Sequence, residues 1–229
     1  MGLPYSWPMT ETNASSPQRL RAAGAGRRRG FDADDVLVRV VDIFWQHGFA
    51  TTTVRQLEAE LGLTASSIYN TYGSKNELLD AAIEQYLTLM DRHVLAELRG
   101  APDPLTGLQE FFHRVAIGVD GEHRWGCFVV SLLTENAGRD DTINQHTAQY
   151  FDTLRSDFTA ALRQADAADL LDPSLVGTDR DGWIDAQVDL LLANVLGINT
   201  AARGRMGDAV VESMMRSVQS QIEQWRATS

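Results

Sequence analysis

The apolar positions of the chain fall into helical rows almost from end to end. Leu37, Val40, Val41 and Phe44 recur at i, i+3, i+4 and i+7, which predicts an amphipathic helix over Asp32 to His47. Asp32, Asp34 and Asp35 stand in its first turn, where carboxylates complement the positive end of the helix dipole, and Gly48 closes it. A second stripe, Val54, Leu57 and Leu61, follows the capping-box spacing of Thr53 and Gln56 and ends at Gly62, where a left-handed turn is expected. Leu63 fills the angle. Thr64 then caps a short helix through Tyr72, with Ile68 and Tyr72 pointing inward and Gly73 as its stop. Ser74 and Glu77 form another capping box and open a helix to about Leu98, whose apolar set is Leu79, Ile83, Tyr86, Leu87 and Met90.

The remaining pattern is also helical. Asp103 to Val119 carries Leu108, Phe111, Phe112, Val115 and Ala116. Trp125 to Leu133 is almost wholly apolar, and its length and the following Thr134 to Gly138 favour a buried helix over a strand. Asp141 to Ala165 is a long amphipathic helix, and 166–178 is a loop with partial helical character. Two helices close the chain, Asp181 to Arg203 and Met206 to Trp225. With no internal repeat and no strand alternation, the expected fold is all-α.

Charge refines this picture. The net charge of −11 argues against a nucleic-acid partner until its distribution is counted. Residues 1–76 hold eight basic and seven acidic side chains, a balance of +1, which leaves twelve basic and twenty-four acidic residues, or −12, in the rest. A nearly neutral head thus sits on an acidic body that repels stray contact with a duplex. Residues 1–30 read as a disordered arm rich in Ser, Pro, Gly and Ala, with no apolar stretch of a secretory signal. No apolar run reaches the roughly 20 residues of a membrane helix. Cys127 is the lone cysteine, so no disulfide forms within one chain, which fits a reducing cytoplasm. The 229 residues suit one large helical domain or two that share a core.

The segment from Ala50 to Lys75, ATTTVRQLEAELGLTASSIYNTYGSK, has the grammar of a helix-turn-helix: two short helices, a tight turn, and a second helix that starts on a polar cap. Across some sixty residues without a gap, 31–90 resembles the N-terminal domain of TetR/AcrR-type transcriptional repressors, in the order helix, Gly-Phe, Thr-Thr-Val, Leu-Gly-Leu-Thr, Ile-Tyr, Tyr-Gly-Ser-Lys. GCFVVSLLTE resembles a Gly-Cys segment of one subgroup of these regulators. The resemblance implies a helix-turn-helix DNA-binding domain over 31–76 and a helical ligand-binding and dimerisation domain over 77–229. It further implies a homodimer that pairs through its last two helices, binds double-stranded operator DNA, and releases it when a small-molecule inducer fills the C-terminal domain.

Candidate DNA contacts follow. Thr64, Ala65, Ser66, Ser67, Tyr69, Asn70 and Thr71 lie on the outward side of the recognition helix. Ala65 and Ser66 are small enough for close approach, and the N-terminal end at Thr64 and Ala65 attracts a phosphate or enters the groove first. Asn70 suits adenine N6/N7, Ala65 a thymine methyl, and Tyr69 a phosphate. This helix has no Lys or Arg, a departure from the family, so guanine readout by Arg is missing and the flanks carry more of the electrostatics. Thr52 or Thr53 is expected at a phosphate. Lys75, the chain's single lysine, starts a helix where the dipole disfavours a cation, a conflict that a phosphate would resolve. Arg27, Arg28 and Arg29 are expected to reach phosphates or the minor groove, with a solubilising tail as the plain alternative.

The inducer site is expected among Met90, Phe111, Phe112, Trp125, Cys127, Phe128, Ser131, Glu135, His146, Tyr150 and Asn194, a mixed set suited to a small apolar or aromatic molecule, although each is also ordinary core. His123 and Arg124 near Cys127 raise a thiol-sensor reading, against that of a small buried apolar residue. No metal spacing, nucleophile elbow or Gly-rich phosphate loop stands out, so neither an enzyme nor a cofactor is expected. The alternative function is a helical thiol-based or ligand-binding sensor that does not bind operator DNA.

Overall fold

The computed structural model describes residues 33–120, 126–136 and 138–227, and they form an all-helical protein. Helices α1 (Ala33–His47), α2 (Val54–Leu61) and α3 (Ala65–Tyr72) build the head. α4 (Lys75–Met90) leads into the body, through a π turn (Asp91–Leu95) and α5 (Ala96–Gly100). The body continues with α6 (Pro104–Asp120), α7 (Phe128–Asn136), α8 (Asp141–Ala167), the single turn α9 (Pro173–Val176), α10 (Arg180–Arg203) and α11 (Asp208–Gln224). Among the described residues the sole extended pairing is an isolated bridge between Leu171 and Arg226. Among the described residues no helix is long and apolar enough to cross a membrane.

Eight-residue helices are marginal alone in water, so α2 and α3 must be held by their surroundings. Thr53 and Gln56 cap α2 reciprocally, and the Thr64 hydroxyl accepts the Ser67 N–H at 3.2 Å to cap α3. Each cap contributes about 1 kcal/mol. Burial contributes more: Leu57, Leu61 and Ile68 are almost fully enclosed, at about 1.5–3 kcal/mol each. The turn between the helices runs through Gly62 at φ +69°. Val54, expected in the buried stripe, is 37% exposed, because the stripe starts one turn later at Leu57. Arg39 of α1 donates to the Glu60 and Leu61 carbonyls, tying off the C-terminal end of α2.

The helix expected from Ser74 to Leu98 is real but not uniform. Ser74 and Glu77 cap it as the spacing predicts. At Asp91 it widens into the π turn. Tyr86, Met90, Val94 and Leu98 are all buried at intervals of four. On a regular α-helix that interval drifts by about 40° per step, and a turn with one extra residue brings the row back over the core. α6 packs on α8 and α11, while α8 and α11 also pack on α10. The apolar run beginning at Cys127 is the buried helix α7, as expected, and it lies against α8 and α10. Gly126 enters it at φ +73°, where a Cβ would stand 2.8 Å from the Asn199 carbonyl oxygen of α10.

Asp42 is the oddity of α1. It lies half-buried between the buried Val41 and Ile43, and burial lifts its carboxyl from the ordinary range to about 6. The folded state therefore holds this proton more tightly than the unfolded chain does. The stability it contributes is full at acid pH and is lost as pH rises through about 6. Asp42→Asn should melt higher than the wild type at pH 7.5 and converge with it near pH 4, as followed by circular dichroism; an equal gap at both pH values would refute the assignment.

Candidate nucleic-acid interface

The recognition helix α3 keeps Ile68 in the core and sends Ser66, Ser67, Asn70 and Thr71 to solvent. Ala65 and Tyr69 are half-exposed, the ring of Tyr69 resting on the core. Thr64 is exposed, with its hydroxyl 3.0 Å from both the Ser66 and Ser67 hydroxyls. The Thr71 hydroxyl turns back to donate to the Ser67 carbonyl.

Three expectations need correction. Thr52 is buried, and its hydroxyl donates to the Gly48 carbonyl at 2.6 Å, so this side chain is not at the surface to meet a phosphate; Thr53 is exposed beside it as the cap of α2. The N-terminal end of α3 is not an open anion site either. The Ala65 N–H donates to Glu58 Oε1 at 2.7 Å, so a carboxylate already occupies the positive end of the helix. Lys75 does not depend on a phosphate to offset the dipole: its ammonium donates to the Phe49 carbonyl at 2.6 Å and lies 4.6 Å above the Phe49 ring. Partial burial there holds its pKa below the ordinary lysine value. The conflict with the dipole of α4 is thus met inside the protein.

One cation remains. Arg55, near the start of α2, is exposed and makes no hydrogen bond or ion pair among the described residues. Arg39, the third cation of the described head, is committed to α2 carbonyls. Neither Arg55 nor Glu58 was expected at the interface, although removing the stripe of Leu57 and Leu61 from the helix leaves Arg55 on its outer side. Arg27, Arg28, Arg29 and Trp125 lie outside the described residues, as do His123 and Arg124.

The inducer candidates do not converge on one cavity. Phe111, Phe112 and Phe158 pack as a ring cluster with centroids 5.1–6.2 Å apart. Trp45, Tyr86 and Phe128 form a second cluster. Beside it the Tyr86 hydroxyl donates to Cys127 Sγ at 3.4 Å, and Sγ lies 3.7 Å from the Tyr150 hydroxyl. Both phenols are pushed well above the ordinary tyrosine range, first by burial and then by the neighbouring thiol. Ser131 is buried, its hydroxyl donating to the Cys127 carbonyl. Met90 is buried core, His146 faces Asp80 of α4 at 3.8 Å, and Asn194 donates along its own helix to Leu190. Glu135 belongs to the head–body junction and bonds Arg203 and the Phe49 N–H. A groove of about 350 Å³ does open between α5 and α6, along Val94, Leu98, Ala101 and Phe111, and of the expected set it contains Phe111 alone.

Comparison with known proteins agrees with this geometry. The family described as bacterial regulatory proteins, tetR family, matches residues 40–82, from within α1 into α4. The uncharacterized HTH-type transcriptional regulator YezE of Bacillus subtilis is 27% identical over 128 residues, covering 56% of this chain and 64% of YezE. The HTH-type transcriptional repressor ComR of Escherichia coli is 25% identical over 133 residues, 57% of this chain and 60% of ComR. The chain thus spans less than two thirds of the length of the curated relatives it matches. Solved structures extend the likeness to the body. A TetR-family regulator from Agrobacterium tumefaciens shares the fold at TM-score 0.71 and 22% identity, over 82% of this chain and 96% of its own. A cysteine mutant of the TetR-family regulator CifR, complexed with 26-base-pair operator DNA, aligns at TM-score 0.68 and 25% identity, over 83% and 98%. The helix-turn-helix head is thus matched by the tetR family of bacterial regulatory proteins, and the helical body shares its fold with solved TetR-family regulators.

Proposed function

We propose that the protein is a cytoplasmic, homodimeric repressor that binds double-stranded operator DNA and is released from it by a small apolar or aromatic inducer. The observation that carries the reading is the polar face of α3, exposed on a helix whose other side is anchored through Ile68. Such a helix lies in the major groove with its exposed polar face toward the base edges. In this reading Asn70, Ser66, Ser67 and Thr71 face bases, while Arg55 and the arm with Arg27, Arg28 and Arg29 supply phosphate contacts. Leu190, Met206 and Val210 of the last two helices and their connection stand 38–63% exposed, the kind of apolar surface that a second copy would cover. The 31–76 and 77–229 division follows, with α4 running across its boundary. The sensor without operator binding is favoured by one observation, the carboxylate of Glu58 at the end of a reader that lacks cations.

Selection of bound duplexes from random sequence, followed by fluorescence anisotropy, separates these readings. The repressor reading expects a defined site. Asn70→Ala should relax preference at one base pair per half-site by about 1–3 kcal/mol. Arg55→Ala should weaken every duplex alike and flatten the slope of log K against log[salt] by about 0.9 for each Arg55 phosphate contact. Recovery of no duplex would leave the sensor reading. Because Glu58 puts negative charge beside the groove, Glu58→Gln should bind duplexes more tightly at low salt; a weaker complex would instead mean that the carboxylate serves the reader. Val210→Glu should sediment as a monomer where the wild type sediments as a dimer, and a wild-type monomer would refute the pairing.

A further inference from the structure

Two body helices end on one point of the head. Arg203, the last residue of α10, donates through Nη1 to the Trp45 carbonyl near the end of α1, at 2.6 Å. Its Nη2 pairs with Glu135 of α7 at 2.8 Å. The second Glu135 oxygen accepts the Phe49 N–H at 3.2 Å. Gly48, between these contacts, adopts φ +84°, and a Cβ there would lie 3.2 and 3.3 Å from the two Glu135 oxygens. From the other side Lys75 donates to the Phe49 carbonyl, and the Phe49 ring packs edge-on to Phe44 at 5.3 Å. The peptide groups on both sides of Phe49 are therefore held by side chains of other helices.

Both members of the ion pair are about three-quarters buried, with side-chain exposures of 24% and 27%. A pair so placed differs from an exposed one, whose contribution is close to nil. Removing either partner leaves a charge in a poorly hydrated site. The geometry is directional as well, since one guanidinium spans a head carbonyl and a body carboxylate while that carboxylate spans the guanidinium and a head N–H. α10 also carries Leu190, part of the surface assigned above to the second copy.

We propose that Glu135 and Arg203 are positioning residues that set the angle of each head on the dimer, and through it the separation of DNA half-sites the protein accepts. The proposal rests on the dimeric DNA-reader reading. Insertion of a single base pair moves a half-site by about 3.4 Å and turns it by about 35°, so a fixed head angle rejects it and a loosened one tolerates it.

The test uses the full-length protein and duplexes built from its selected site, with zero, one or two base pairs inserted between half-sites. The wild type should bind the uninterrupted site at least tenfold more tightly than the two-pair insertion. Glu135→Ala and Arg203→Met should lose most of that ratio, with binding to the optimal duplex falling and binding to the spaced duplexes holding or improving. A purely stabilising pair would lower all three alike and keep the ratio, which overturns the proposal. Glu135→Gln keeps an acceptor for the Phe49 N–H and removes the charge, and it carries the same expectation should the alanine variant fail to fold. Sharp spacing preference retained in the variants refutes the positioning role alone, whereas a wild type that binds no duplex overturns the reader and this proposal together.

Discussion

The head exists because three aliphatic side chains are taken out of water. α2 and α3 are each eight residues long, too short to persist on backbone bonds alone. Leu57, Leu61 and Ile68 anchor them to the core, and the Thr53 and Thr64 caps fix where each helix begins. Everything the reader offers outward, from Ser66 to Thr71, is available only because Ile68 spends its surface inward.

The electrostatics of the head are mostly settled within it. Lys75 serves the Phe49 carbonyl, Arg39 serves α2, and His47 lies 3.1 Å from Glu60. Glu58 completes the N-terminal end of α3. Within the described head this leaves the uncharged polar face of α3 and the exposed Arg55 as the groups not already engaged, and the proposed reading gives them correspondingly greater weight. The same economy marks the junction, where Glu135 and Arg203 neutralise each other while holding backbone groups 86 and 158 residues away in sequence.

Periodicity and caps were enough to read the helices: the capping boxes at Thr53 and Ser74, the turn at Gly62 and the buried helix after Cys127 all follow from local chemistry. The π turn did not, because its cause is the fit of Val94 and Leu98 to helices distant in sequence. The site was legible on α3, where burial of Ile68 decides which side faces out. It was not legible at Thr52, Lys75 or Glu135. Each of these has the chemistry of a surface or pocket group, and each is claimed by a partner that only the tertiary fold brings close. The phenylalanines at 111 and 112 have the composition of a pocket, yet their rings pack on Phe158, and of the two only Phe111 also lines the groove between α5 and α6.

The π turn bears on how the long strut from head to body behaves. Its extra residue is kept in place by burial of Met90, Val94, Leu95 and Leu98, by the ion pair of Asp91 with Arg99 at 2.6 Å, and by Arg114, which donates to the His93 carbonyl at 3.5 Å. Straightening it into regular α-helix would turn α4 against α5 by about 100°, the angle of one residue, and carry part of that row out of the core. The strut is therefore stiff while its apolar row stays dry and Arg99 and Arg114 keep their hold on the turn, so its resistance to torsion belongs to its surroundings more than to the helix itself.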